Sequence, residues 1–223
     1  MNLLKKIPIR YFGELHEIKL VNFSVEKSEV ESLVPWNLVV RDFNGRAMIS
    51  IVNVALKHMH PSFMPERLHF NYRHIGFRLL LEDSFRNNDG QNKGIFFLKS
   101  FTDQPLIAAG GQWMTDYNLE LADMIATDDM LALKQGDHFL NYVLDEQPPK
   151  PSGNLQTTIG ALDRAYSVMG GQVRMVQIQR EKWPIEEVNC AYFKTDFFKT
   201  ARLEGAFRVQ ETIYYEWTPP QNV

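Results

Sequence analysis

Trp36-Asn37-Leu38-Val39-Val40-Arg41-Asp42-Phe43-Asn44-Gly45-Arg46-Ala47-Met48-Ile49-Ser50-Ile51-Val52-Asn53-Val54-Ala55-Leu56-Lys57-His58-Met59 is two β-prone runs meeting at Asn44-Gly45. A two-residue type I′ turn needs φ > 0 at both central positions, and Asn-Gly supplies it at low steric cost. Such a turn sets the register. Phe43 falls opposite Arg46, Asp42 opposite Ala47, Arg41 opposite Met48 and Val40 opposite Ile49, predicting a long antiparallel ladder. The second arm carries β-branched residues on both faces, the pattern of a central strand covered on both sides.

Working outward, residues 18–23 are β-prone, and Ser24 offers an N-cap for a helix running to about Leu33 and ending before Pro35. A strand over 68–81 places His69, Asn71 and Arg73 on one face and Phe70, Tyr72 and His74 on the other. Residues 82–93, with Asn87-Asn88-Asp89-Gly90, read as an exposed hairpin loop into a strand over 94–101. The small residues Ala108 to Gly111 suit either a short helix or a tight backbone contact. Residues 130–133 and 138–144 flank Lys134-Gln135-Gly136-Asp137 as a second hairpin. Residues 147–153, rich in proline, read as a long surface loop.

Leu155, Ile159, Leu162, Ala165 and Tyr166 recur at helical spacing, with Gly170-Gly171 as the stop. Alternation then predicts a strand over 172–180, and a terminal strand covers 207–217. These elements predict a mainly β, α+β protein: a closed or strongly curved antiparallel β-barrel with a few flanking helices, one domain over residues 1–223.

With 44% hydrophobic and 12% aromatic residues in 223, the chain can bury a substantial core. A net charge of −3 supplies no basic field for nucleic acid, so no nucleic-acid partner is expected. The first ten residues lack an apolar h-region, and no apolar run nears the ~20 residues of a membrane helix. A cytoplasmic protein without membrane association is the expectation. The one cysteine, Cys190, excludes an internal disulfide and reads as a buried, inert thiol.

Taken in order, Val34-Pro35, Asp42-Phe43-Asn44-Gly45-Arg46-Ala47, Asn71-Tyr72-Arg73, Gly94-Ile95-Phe96-Phe97-Leu98, Trp183-Pro184-Ile185 and Trp217-Thr218-Pro219 resemble the YqjF-like family of uncharacterised proteins. That family is similar to acetoacetate decarboxylase. The resemblance implies a cone-like antiparallel barrel with a ligand cavity inside, and, in the enzyme, a lysine of lowered pKa that forms a Schiff base with a β-keto acid. The enzyme's motif, a glutamate shortly before a Lys-Lys pair, is absent; the only adjacent lysines are Lys5-Lys6. Decarboxylase activity is therefore not carried over.

Three sets of residues could do chemistry. Lys99 sits among apolar neighbours on both strand faces, where desolvation would make its amine nucleophilic; the alternative is a stem that packs while the ammonium reaches water. Arg73 and Asn71 share a face and could hold an anion, since a guanidinium fork suits a carboxylate; the alternative is a structural pair with an acid. His58 and His60 stand two apart but lack a nearby acid or cysteine, so no metal is expected. No phosphate loop or Gly-x-Ser-x-Gly elbow is present, and no cofactor is expected.

The sequence reading is a barrel that binds a small organic acid or carbonyl compound inside, oriented by Asn71 and Arg73 and enclosed by Phe97 with Phe70, Tyr72 and Phe96. The alternatives are a lyase-like enzyme using Lys99, and a non-catalytic interaction protein whose barrel is filled by side chains.

Overall fold

The structure, a computed structural model, describes residues 8–114, 119–149, 152–180 and 183–223. Its first strands are β1 (Tyr11–Glu26), β2 (Asp42–Phe43), β3 (Arg46–Pro61), β4 (Phe70–Leu80) and β5 (Gly94–Thr102). Then come β6 (Leu119–Leu121), β7 (Asp123–Ala126), β8 (Met130–Gln135), β9 (His138–Asp145) and β10 (Arg164–Met169). The last are β11 (Gln172–Arg180), β12 (Glu186–Thr195), β13 (Arg202–Val209), β14 (Ile213–Trp217) and β15 (Gln221–Asn222). The helices are short: α1 (Lys27–Val30), α2 (Pro105–Met114) and α3 (Leu155–Gly160). None of the described helices is long and apolar enough to cross a membrane.

Strands run in the order β3-β4-β5-β10-β11-β14-β1, and β1 also pairs with β3, so seven strands close into a barrel. Closure removes the unpaired edges of an open sheet. β5 and β10 are parallel, while the other neighbours in the ring are antiparallel. From β1 the sheet continues through β13-β12-β9-β8-β7 and wraps over the outside of the barrel.

Two apolar clusters result from the period-2 pleat. Outward residues of β3 and β4, such as Ile51, Ile75, Phe77 and Leu79, pack with Leu131, Leu133, Leu140 and Tyr142 of the wrapping strands. Inward residues, among them Val52, Val54, Leu56 and Leu80, form a second cluster with Leu155 and Ile159 of α3 and with Trp183. The two faces of each wall strand thus serve different layers.

The Asn44-Gly45 turn forms as read, with φ of 55° and 83°, Phe43 opposite Arg46, and Asp42 opposite Ala47. The Asp42 carboxylate accepts the Gly45 N–H at 2.9 Å. The ladder beyond it is shorter than predicted: β2 has two residues, and Val40 bridges Leu81 rather than Ile49. β3 is central as expected: β1 runs along one edge, and on the other β4 pairs from Ile49 onward, taking the place that Val40 would have held.

Ser24 does not cap a helix. It lies within β1, where Arg46 Nε donates to its hydroxyl (2.7 Å), and the following helix is the single turn α1 with a 3-10 turn over Glu31–Leu33. The helix predicted through Tyr166 is also corrected: α3 ends at Gly160, and Arg164–Met169 is β10. Gly170-Gly171, with φ of 60° and 83°, is the two-residue turn of the β10–β11 hairpin, not a helix stop. Residues 104–114 resolve into α2, and the terminal strand splits into β13 and β14. Residues 1–7 and 150–151, in the N-terminal reading and the proline-rich loop, lie outside the described residues.

Candidate functional site

The barrel interior is not filled. It holds a cavity of about 320 Å³, at the lower end of the range usual for small-molecule sites. On β4 the inward positions are Phe70, Tyr72, His74, Gly76 and Arg78, and all but the glycine line the cavity. Gly76 has a steric reason: a Cβ there would lie 2.8 Å from the Phe97 ring and 3.2 Å from His74. Its missing side chain lets the Phe97 ring cross the wall and pack on His74, with ring centroids 5.9 Å apart.

Arg78 is the polar centre of the site. It is 6% exposed, its Nη2 donates to Ser50 Oγ at 2.7 Å, and its Nε reaches the Ser50 carbonyl at 3.4 Å. Both partners are neutral, and no carboxylate among the described residues pairs with it. Burial and the neighbouring Arg180 charge draw the guanidinium down to about 9. Arg180 donates through Nη2 to the carbonyls of Gly160 (3.1 Å) and Leu162 (2.9 Å), and burial lowers it to about 10 despite the opposing pull of Asp163.

Trp183 lies between the two, its ring 5.9 Å from the Arg78 guanidinium carbon and 4.1 Å from that of Arg180. Among the described residues lining the cavity there is no Asp, Glu or Lys.

His74 faces the same space, and burial with the Arg78 charge lowers it to about 4, so it is neutral at physiological pH. Three further cavity-lining groups, Tyr11 Oη, Ser100 Oγ and Trp183 Nε1, are buried with no hydrogen-bond partner. Buried polar atoms are normally satisfied, so this concentration marks a place where hydrogen-bonding capacity is held open.

Of the site candidates Asn71, Arg73, Phe97 and Lys99, Phe97 alone lines the cavity, stacked on Trp217 with centroids 6.3 Å apart. Phe70 and Tyr72 join it, whereas Phe96 packs into the outer cluster. Arg73 and Asn71 face outward. The Arg73 guanidinium pairs with Glu17 and donates to Asn53 Oδ1 (2.9 Å), while Asn71 Oδ1 accepts the His58 N–H (2.9 Å). Arg73 therefore has the structural acid partner that was its alternative reading.

Lys99 also lies outside. Strict alternation from Ile95 and Phe97 would turn it inward, but Arg78 opposes Phe97 while Phe77 opposes Lys99, leaving Leu98 as an extra residue. This β-bulge shifts the phase of the strand, so Ser100 faces the cavity and Lys99 lies over the Phe197 ring at 5.4 Å in the outer layer. His58 pairs with Glu14 at 3.1 Å, and no group of three potential metal ligands occurs among the described residues. Cys190 is half-buried, and burial pushes its thiol up to about 11, away from the thiolate form.

Arg78 and Arg180 were missed in the sequence, although alternation carried on from Tyr72 and His74, or from Val176 and Ile178, reaches both. Trp183 was noted only as a landmark of resemblance.

A family model for uncharacterised conserved proteins, DUF2071, matches residues 13–218. The chain belongs to the DUF2071 family. A search of curated proteins gave no significant match. Among solved structures, this DUF2071 chain is similar to an acetoacetate decarboxylase-like enzyme from Sphingomonas wittichii, with a TM-score of 0.61 and 9% identity over 97% of this chain and 92% of that one. The enduracididine biosynthesis enzyme MppR, complexed with pyruvate, gives 0.58 and 12% over 97% and 90%. Acetoacetate decarboxylase from Legionella pneumophila gives 0.57 and 10% over 97% and 87%. At such identities the likeness establishes the fold: an acetoacetate decarboxylase-like barrel.

Proposed function

We propose that the barrel cavity binds a small organic acid or carbonyl compound, with Arg78 as the anion-binding residue and Arg180 and Trp183 completing that end of the site. The observation that carries this reading is the Arg78 guanidinium, 6% exposed and held only by the neutral groups of Ser50. A buried cation without a counter-charge is costly, and a ligand carboxylate would supply both charge and bidentate hydrogen bonds. The absence of Asp and Glu from the described lining residues leaves that role to a guest.

A pyruvate complex of the structural relative MppR supports the class of ligand. Neutral His74 and the unpartnered Ser100 hydroxyl would then donate to a carbonyl or second oxygen. The test is thermal-shift screening of wild type and Arg78→Met against pyruvate, acetoacetate and longer carboxylates. Stabilisation of wild type that disappears in Arg78→Met is the expected result; shifts retained in full by the variant would remove Arg78 from the site.

A further inference from the structure

The distribution of polarity along the barrel narrows the ligand further, resting on the anion-site reading above. The inward positions of β4 run from Phe70, which is 45% exposed, to Arg78, which is 6% exposed, so Arg78 lies deep and the rim is open. From Tyr72 to Arg78 is about 20 Å of strand at the usual rise of ~3.3 Å per residue. At the ~40° tilt of barrel strands that is about 15 Å of depth.

Over this depth the walls are apolar or aromatic: Val54 and Leu56 of β3, Phe97 of β5, Ile178 of β11 and Trp217 of β14. The rim is apolar too. Leu106 of α2 lines the cavity while remaining 85% exposed, and Phe70 is a second half-exposed lining residue. Apolar side chains left exposed around a cavity mouth mark a surface awaiting an apolar partner.

A short hydrophilic acid would satisfy Arg78 and leave most of this corridor facing water. We infer that the ligand is an amphiphilic monocarboxylate, with its carboxylate on Arg78 and an extended alkyl or aryl-alkyl tail along the corridor to the Phe70–Leu106 rim. Each ~1.5 Å carbon–carbon bond of an extended alkyl chain advances it by about 1.25 Å, so with about 3 Å of the depth taken by the carboxylate–guanidinium contact the remainder suits a tail of about eight to ten carbons. The Trp183 indole, which carries an unpartnered N–H, floors the head-group end between the two guanidinium groups.

The experiment is calorimetric titration of the full chain with butanoate, hexanoate, octanoate, decanoate and dodecanoate, alongside 1-decanol. Affinity is expected to rise about three- to fourfold per methylene, the value of one buried CH₂, and to level off near ten carbons. Decanol should bind at least tenfold more weakly than decanoate. Arg78→Met should weaken decanoate at least tenfold and leave decanol unchanged. Val54→Phe, which narrows the corridor without touching the cation, should move the levelling point to shorter acids and serves if Arg78→Met does not fold. Affinity independent of chain length, with Arg78 still required, would overturn the amphiphile inference and leave the anion site standing. Decanol binding as tightly as decanoate, with no effect of Arg78→Met, would overturn both.

Discussion

Two arginines on one strand, five residues apart, show what separates a structural cation from an available one. Arg73 points outward into Glu17 and Asn53, and Asn53 in turn donates to the Tyr142 hydroxyl at 2.7 Å, tying the barrel wall to the wrapping sheet. Arg78 points inward, touches only Ser50 among hydrogen-bonding groups, and shares its space with another cation. Residue type and strand are the same; only the parity of the position differs. The outer face of β4 is closed and paired, whereas the inner face is open and unneutralised.

The sharpest way to break this contrast is a pair of phenylalanine truncations. Phe77, fully buried in the outer layer against the rings of Phe23, Phe101 and Phe197, should cost about 3–5 kcal/mol as Phe77→Ala. Phe97→Ala on the cavity wall should cost less than half of that, because its ring already borders empty space. Urea denaturation of both measures the difference, and equal losses would mean that the interior is packed as tightly as the exterior.

The arginines themselves should respond with different magnitudes. Arg73→Met breaks the link through Asn53 and removes the partner of Glu17, for an expected loss of about 1–2 kcal/mol. Arg78→Met removes a buried charge that has no counter-charge and should be near neutral or stabilising in the same assay. An equal loss in both would mean that the two cations are equally structural.

The pH dependence isolates His74. Its folded value of about 4 lies below the ordinary 6.5, so on acidification the unfolded chain takes up this proton first. The stability it contributes is full above pH 6.5 and falls between 6.5 and about 4. Chemical denaturation at a series of pH values should show His74→Gln flattening the curve in that window. The smallest effect belongs to Lys99→Ala, which loses a half-exposed cation–π contact worth about 0.5–1 kcal/mol. Carboxylate binding should be unaltered, and a large loss of binding would return Lys99 to the site.

Legibility in the sequence followed the range of the interactions. The Asn44-Gly45 turn, the central position of β3 and the facing of Phe70, Tyr72 and His74 were legible because turn chemistry and period-2 alternation are local. The choice between the two faces of β4 was not. Nothing local distinguishes an inward Tyr72 from an inward Arg73 until the ring of strands is closed, and so Asn71 and Arg73 were singled out while Arg78 was missed. The fate of Lys99 was hidden for another reason: a single extra residue at Leu98 reverses inside and outside downstream, and no glycine or proline marks it. Tyr166 and Ala165 matched a helical stripe, but pairing with β5 and β11 made that segment a strand.

The strand that closes the barrel carries a consequence for how the chain is made. β1 leaves the ribosome before the other strands of the barrel, yet its partners besides β3 are β13 and β14, reached only at Arg202–Val209 and Ile213–Trp217. Until those two strands emerge, one side of β1 is an unpaired edge with Leu20, Val21 and Phe23 behind it. β13 and β14 are thus the seal of the vessel, and a nascent chain stopped short of them holds an apolar seam open to whatever strand it meets.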